Sequence, residues 1–275
     1  MRANSLAAGG GHGLNLPCRR FLTTAAARTI AENMAVKITD LLGSQLNALR
    51  YEPTAKRLRA SVGGHVVADT YDGLLVWEPK RVVPAYAVAE KDISARLIPT
   101  EAGRVFDVDT GDTVLPRAAF KPDDPDLQRH VLLDFAAFDW LEEDEPIVGH
   151  PHDPFHRIDI LRSSRHVSIE LDGHVLAESS RPVLLFETLL PVRFYLPPED
   201  VTSDLEHSDT VTYCAYKGRA SYLSLPGVRA DVAWTYREPL REAEPIREHV
   251  CFFDEHVDVT VDGQRRDRPS APWSE

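Results

Sequence analysis

An internal repeat is the feature of this 275-residue chain that most restricts what it can fold into. Gly64-His65-Val66-Val67-Ala68-Asp69 lies over Gly173-His174-Val175-Leu176-Ala177-Glu178 at an offset of 109 residues. With no gap, Leu75 then meets Leu184, Trp77 meets Phe186, Glu78 meets Glu187, Val83 meets Val192, Tyr86 meets Tyr195 and Glu90 meets Glu199. Nine of the 27 positions from 64 to 90 are identical, where chance gives about one or two. His130-Val131 over His249-Val250, and Asp139 over Asp258, continue the match at an offset of 119. The second copy is therefore ten residues longer, and the extra chain falls around Cys214. A rival match, Glu145-Pro146-Ile147 over Glu244-Pro245-Ile246, makes the first copy the longer one but rests on a tripeptide, and is rejected. Two domains are expected, about 50–140 and about 165–263. They are joined by a linker over 141–164 that opens on Glu142-Glu143-Asp144-Glu145 and carries Pro146, Pro151 and Pro154. Residues 1–49 read as a leader and 264–275 as a tail.

The local pattern is β. Val167, Ile169 and Leu171 alternate with Ser168 and Glu170, the period of a strand with one apolar face. Asp172-Gly173 follows, and a type I′ turn needs positive φ at both of its central residues. Gly63-Gly64 takes that place in the first copy. Val183-Leu184-Leu185-Phe186 is a continuous apolar run of buried-strand length, and Phe194-Tyr195-Leu196 ends against Pro197-Pro198. A short helix is expected from Ile38 towards Leu49, interrupted at Gly43. Leu127, Val131 and Phe135 have helical spacing within 127–140, although a strand also fits there. The class is mainly β, with two tandem copies of a small antiparallel domain and a few short helices.

Composition narrows the function classes. The net charge is −12, and residues 1–31 contribute four arginines and no acid. So acidic a body disfavours nucleic acid and anionic membranes as partners. No run reaches the roughly 18 apolar residues of a membrane span. Three cysteines without a C-x-x-C pair fit a reducing, cytoplasmic setting, and neither a metal nor a cofactor is expected. The Arg-rich, acid-poor start allows a transit peptide, but a leader preceding initiation at Met34 is the preferred reading. Phosphate-loop, dinucleotide-fingerprint, nucleophile-elbow and H-E-x-x-H motifs are all missing.

Candidate chemistry concentrates in the second copy. Glu187 ends an apolar strand, and Arg193 and Tyr195 share one face of the next. Thr210-Val211-Thr212-Tyr213-Cys214 alternates, and Lys217-Gly218 turns the chain before Tyr222. A thiol near a cation has its thiolate, the nucleophilic form, favoured. Converging strands would bring Glu187, Arg193, Cys214 and Lys217 into a polar pocket for a small molecule. In that pocket Cys214, Glu187 and Lys217 are the catalytic candidates, while Arg193, Tyr195, Tyr222, Trp234 and Tyr236 are the ligand-binding ones. Arg193 and Lys217 would hold an anionic group, and Glu187 would position or exchange a proton. Plainer alternatives stand beside these: Cys214 as a core residue, Glu187 and Arg193 as an ion pair, Lys217-Gly218 as a solvated turn, and the aromatics as core. His150, His152 and His156 (H-x-H-x3-H) suggest an interdomain contact ahead of a zinc site. A non-catalytic interaction module is the alternative to an enzyme.

The run from Glu187 to Val201, the segment Thr212-Tyr213-Cys214-Ala215-Tyr216-Lys217-Gly218-Arg219-Ala220-Ser221-Tyr222 and the stretch Ala233-Trp234-Thr235-Tyr236 together resemble domain-of-unknown-function family 427. The segment from Gly149 to Asp159 is similar to the linker of its tandem members. The resemblance implies a mainly antiparallel, tent-like β domain with no settled activity. It places recurring polar positions at Glu187, Arg193, Tyr195, Cys214, Lys217, Gly218, Tyr222, Trp234 and Tyr236. A nucleotidyltransferase label goes with the family, but the glycine-serine turn and paired aspartates of that chemistry are absent here. Ala215 stands where the family has proline, and Pro198 where it has arginine. In the first copy Pro84 faces the position of Arg193, and the cysteine-lysine segment is lacking.

Overall fold

The computed structural model describes residues 35–269. Most of the expected leader and the end of the tail lie outside the described residues. Helix α1 (Ile38–Ser44) begins where expected and stops short of Leu49, just past Gly43. Among the described residues, 44–269 form one compact unit of antiparallel sheets.

The first half has strands β1 (Arg50–Thr54), β2 (Leu58–Val62), β3 (His65–Thr70), β4 (Gly73–Trp77), β5 (Ala85–Ala89) and β6 (Arg96–Pro99). It continues with β7 (Val105–Asp109), β8 (Val114–Phe120), β9 (His130–Leu133), β10 (Asp139–Glu142) and β11 (Glu145–Ile147). The second half has β12 (Ile158–Arg162), β13 (Val167–Leu171), β14 (His174–Ser179), β15 (Val183–Glu187), β16 (Arg193–Leu196) and β17 (Glu206–Cys214). It ends with β18 (Gly218–Leu225), β19 (Arg229–Thr235), β20 (Val250–Phe252), β21 (Asp258–Val261) and β22 (Gln264–Arg265). Each half pairs a seven-stranded with a four-stranded sheet. The long sheets run β1-β4-β5-β9-β8-β7-β6 and β12-β15-β16-β20-β19-β18-β17, the same order strand for strand. The stretch read as linker contributes strands at both ends, β11 to the first half and β12 to the second.

Burial explains these elements. In β13, Val167, Ile169 and Leu171 are buried while Ser168 and Glu170 are partly exposed, because only one face of the short sheet meets the core. Strand β15 reads as a continuous apolar run because the long sheet is covered on both sides. Leu184 joins the inner core against the short sheet, and Val183 and Leu185 join an outer core with Ala243 and Ile246. Each such fully buried side chain contributes roughly 1.5–3 kcal/mol. Both hairpin turns have the expected geometry, with φ of 51° at Asp172 and 80° at Gly173, and 56° at Gly63 and 84° at Gly64. Residues 127–140 form no α-helix. Strand β9 lies between short 3-10 turns at Pro125–Leu127 and Phe135–Ala137, in which the side chains of Asp124 and Asp134 accept the N–H groups of Asp126 and Ala136.

The register corrects one correspondence. Leu75 pairs with Tyr86, whereas its counterpart Leu184 pairs with Phe194. One residue is thus lost between these strands in the second half, and Tyr86 matches Phe194 rather than Tyr195. Successive side chains in a strand point to opposite faces, so Tyr86 lies in the inner core and Tyr195 in the outer one. For the same reason Ala85, not Pro84, takes the place of Arg193. The extra residues of the second half are also split. Strand β17 has nine residues against four in β6, and the remainder lengthens the segment from Tyr236 to His249. Glu145–Ile147 is a strand and Glu244–Ile246 lies in a 3-10 turn, which agrees with rejecting that rival match.

The turn at Gly173 sets the β13–β14 register. Replacing it with valine should lower the unfolding free energy by about 1–3 kcal/mol, since a β-branched residue is strained at positive φ. Asp172→Asn should leave it within about 0.5 kcal/mol. Urea denaturation of the two variants checks both expectations.

Candidate functional site

Strand β15 delivers Glu187 to the edge of the outer core, and the tight turn after Cys214 folds Lys217 over it. The Lys217 Nζ donates to Glu187 Oε2, while His156 Nε2 lies 2.9 Å from Oε1. The acid's side chain is 7% exposed and that of Lys217 is 11% exposed. Burial alone would raise the pKa of Glu187, but His156 and Lys217 outweigh it and hold it at about 2. Lys217-Gly218 is thus a buried cation followed by a glycine at φ 93°, not a solvated turn.

The three linker histidines gather around one ring, that of Tyr216. His156 stacks on it at 4.5 Å between centroids, and His152 and His150 lie at 4.9 and 5.7 Å. The Tyr216 hydroxyl accepts the Asp153 N–H at 2.9 Å, and Asp153 Oδ1 in turn accepts the N–H groups of Phe155 and His156. Gly149 crosses β17 so closely that a Cβ there would sit 3.0 Å from the Tyr213 carbonyl oxygen, and its φ is +89°. Tyr216 therefore seats the linker on the second half.

His152 extends this seat to the first half. Its Nε2 lies 2.7 Å from the Ala215 carbonyl oxygen, which can only accept, so Nε2 carries a proton. Its Nδ1 faces Glu142 Oε2 at 3.7 Å. A ring protonated on both nitrogens serves both oxygens, and the facing Glu142 raises the pKa of His152 accordingly. Burial would raise the pKa of Glu142, but His152, Lys56 Nζ at 2.5 Å and the Tyr86 hydroxyl at 2.7 Å lower it overall. His150 is the reverse case: burial lowers its pKa.

Arg193 does not pair with Glu187. Its guanidinium meets Glu255 in two hydrogen bonds of 2.9 and 2.6 Å and lies 5.5 Å above the Trp234 ring. Burial raises the pKa of the neighbouring Asp254 to about 6. The Trp234 Nε1–H donates to the Tyr195 hydroxyl at 3.1 Å, and burial pushes the ionisation of Tyr195 and Tyr236 well up. Tyr222, partly buried, stacks on Phe253 and shares a 3.1 Å hydrogen bond with Thr212. Cys214 closes β17 opposite Gly218 and is partly exposed. Burial raises the pKa of Tyr216 and Tyr236, and the nearby Cys214 adds to it.

The structure thus brings Glu187, Lys217, Cys214 and Tyr236 to one corner of the long sheet. Arg193, Tyr195 and Trp234 form an adjoining, internally paired group, and Tyr222 sits at its margin. Glu255, Glu142 and Tyr216 were not singled out from sequence. Tyr216 lay inside the segment of interest, but nothing local marks Glu255 as the partner of Arg193. Among the described residues no cluster of histidine, cysteine and acidic side chains is arranged to hold a metal ion. Among the described residues no helix is long and apolar enough to cross a membrane.

Residues 159–263, from the second residue of β12 to just past β21, match the family described as a domain of unknown function, DUF427. No curated protein matches the chain.

Opposite pH dependences follow for two neighbouring histidines. The folded pKa of His152 is raised, so its stabilisation is complete below about pH 6.5 and lost as pH rises through the raised value. That of His150 is lowered, so its contribution is complete above about pH 6.5 and lost as pH falls through the lowered value. Urea denaturation should find His152→Ala more destabilising at about pH 5.5 than at about pH 8.5, and His150→Ala the other way round. Lys217→Met should cost about 3–5 kcal/mol at neutral pH, because it strands a buried carboxylate.

Proposed function

We propose that the second half is a small-molecule-binding domain, with its site at the corner formed by Cys214, Lys217 and Glu187. The carrying observation is that Cys214, a partly exposed thiol, ends a strand three residues from a buried ammonium. Lys217 has three N–H donors, of which Glu187 takes one. The others suit an anionic group on the ligand, and Cys214 is the nucleophile or contact beside it. Glu187, held at about 2, stays ionised at neutral pH, so its role is to fix Lys217 rather than to exchange protons. The first half, with the same strand order but Ala85 and Leu132 in place of Arg193 and Cys251, is read as a degenerate copy of the same domain. This makes the chain a tandem arrangement. A cytoplasmic setting is part of the same reading.

One observation favours a second reading, a non-catalytic interaction module. Arg193 is paired with Glu255 through two hydrogen bonds, and both carboxylate oxygens of Glu187 are engaged, one by Lys217 and one by the linker's His156.

Alkylation separates the readings. Iodoacetate carries the carboxylate that Lys217 would hold, and iodoacetamide is its neutral counterpart. Peptide-level mass spectrometry of the native protein should show Cys214 preferring iodoacetate, relative to iodoacetamide, by about tenfold more than free glutathione does. Lys217→Gln should remove the preference. A ratio equal to that of glutathione in the native chain would overturn the site and leave the interaction module.

A further inference from the structure

The outer face of the first half's long sheet carries a different feature from its counterpart. Val76 pairs with Ala85 where Leu185 pairs with Arg193, and Phe120 pairs with Leu132 where Trp234 pairs with Cys251. In the second half the Arg193 guanidinium, the Trp234 indole and Glu255 fill the volume above these strands. In the first half the positions of Arg193, Trp234 and Cys251 carry the methyl group of Ala85, the phenyl ring of Phe120 and the isobutyl group of Leu132. A cavity of about 270 Å³ lies there, closed on one side by Gly149, His150 and Pro151 of the linker.

The cavity's lining selects a ligand. Its floor is apolar, with Ala85, Phe120 and Leu132. Arg81 and Arg117 border it, and among the described residues neither guanidinium has a carboxylate partner, in a chain whose net charge is −12. Arg117 is held at φ 55°, with its N–H on Asp107 Oδ1 at 2.7 Å, a conformation that costs energy in any residue but glycine. His150 Nδ1 lies 2.9 Å from the Pro151 carbonyl oxygen and so carries the proton, which leaves Nε2 as an acceptor in the neutral ring that burial favours. Two carboxylates also line the space, Glu78 and Asp134, the latter already accepting the Ala136 N–H. They oppose a multiply charged anion such as phosphate and tolerate a single carboxylate.

We propose that this cavity is a second binding site, distinct from the Cys214 corner, for a small monocarboxylate with an apolar or aromatic body. The carboxylate meets Arg81 and Arg117, whose forked donors match its geometry, and the body lies on Phe120 and Leu132. A volume just below the usual range of about 300–1,000 Å³ for ligand pockets suits a fragment-sized compound.

Amide chemical-shift titration of the full chain tests this with 3-phenylpropionate, its neutral analogue 3-phenylpropanol, and inorganic phosphate. Saturable shifts at Ala85, Ala119 and His150, with Kd of about 1 mM or tighter for 3-phenylpropionate alone, are expected. The double variant Arg81→Gln/Arg117→Gln, altered only at exposed side chains, should weaken binding by about tenfold or more. Ala85→Arg, which restores the arginine of the other half, should abolish it. If Ala85→Arg does not fold, the double variant decides. Equal binding of 3-phenylpropanol, a preference for phosphate, unchanged affinity in the double variant, or shifts centred on Cys214 and Tyr222 would each overturn the proposal. The last outcome would leave the Cys214 site standing, and failure of the iodoacetate preference at Cys214 would leave this cavity untouched.

Discussion

The contact on which most else depends is the buried meeting of Lys217 and His156 on Glu187. A carboxylate this enclosed is tolerated only when its lone pairs are met, since an unpaired buried charge costs several kcal/mol. Lys217 reaches it because the turn after Cys214 is tight, and His156 because the linker lies against Tyr216. Seating of the linker, closure of the β17–β18 hairpin and ionisation of Glu187 are therefore linked. With the linker seated, Gly149 lies on Tyr213 and His152 reaches Glu142, so the first half joins the same network. A buried ion pair need not add stability over an apolar replacement. What it contributes here is a defined position, because the linker must lie against Tyr216 for His156 to reach Glu187.

The two halves are alike in what an antiparallel sheet requires and unlike in what sits on its outer face. Both keep the strand order, the positive-φ hairpin turns and a side-chain bond tying the end of β3 or β14 to the chain after the next hairpin, Thr70 to Asp92 at 2.6 Å and Ser179 to Asp200 at 2.7 Å. These features set register, and a one-residue slip would turn every core side chain to the wrong face. The outer face is free of that demand. In the second half it is filled by large polar and aromatic side chains that satisfy one another. In the first it carries smaller, apolar side chains, Ala85, Phe120 and Leu132, with Gly149, His150 and Pro151 of the linker beside them.

Much of the fold was legible in the sequence because sheet physics is local. The alternation of Val167, Ile169 and Leu171, the Asp172-Gly173 turn and the Val183–Phe186 run each reflect a period or a φ requirement confined to a few residues. Residues 127–140 were ambiguous because Leu127 and Phe135 sit on 3-10 turns flanking β9, and their spacing imitates a helix without forming one. The Tyr86–Tyr195 identity misled because a one-residue deletion moved the second tyrosine to the other face. Of the candidate site, the pairing of Glu187 with Lys217 joins two residues grouped on sequence, whereas Arg193, grouped with them, lies on Glu255. The partner of Arg193 could not be read from sequence, because Glu255 is 62 residues away and no short-range pattern reports a contact of that kind.

Three histidines spaced H-x-H-x3-H in a proline-bearing linker suggest a metal when read as isolated ligands. Their surroundings assign them otherwise. Each ring nitrogen with a close partner already faces a protein group: the Pro151 carbonyl for His150, the Ala215 carbonyl and Glu142 for His152, and Glu187 for His156. A metal ligand must present a bare lone pair. Nδ1 of His150 and Nε2 of His152 are committed as donors to carbonyl oxygens, and the remaining nitrogen of His152 faces a carboxylate it can meet only when protonated. The segment is better understood as an aromatic and charged clasp around Tyr216. Its two outer rings are pushed in opposite directions, His150 towards the neutral form by burial and His152 towards the charged form by Glu142.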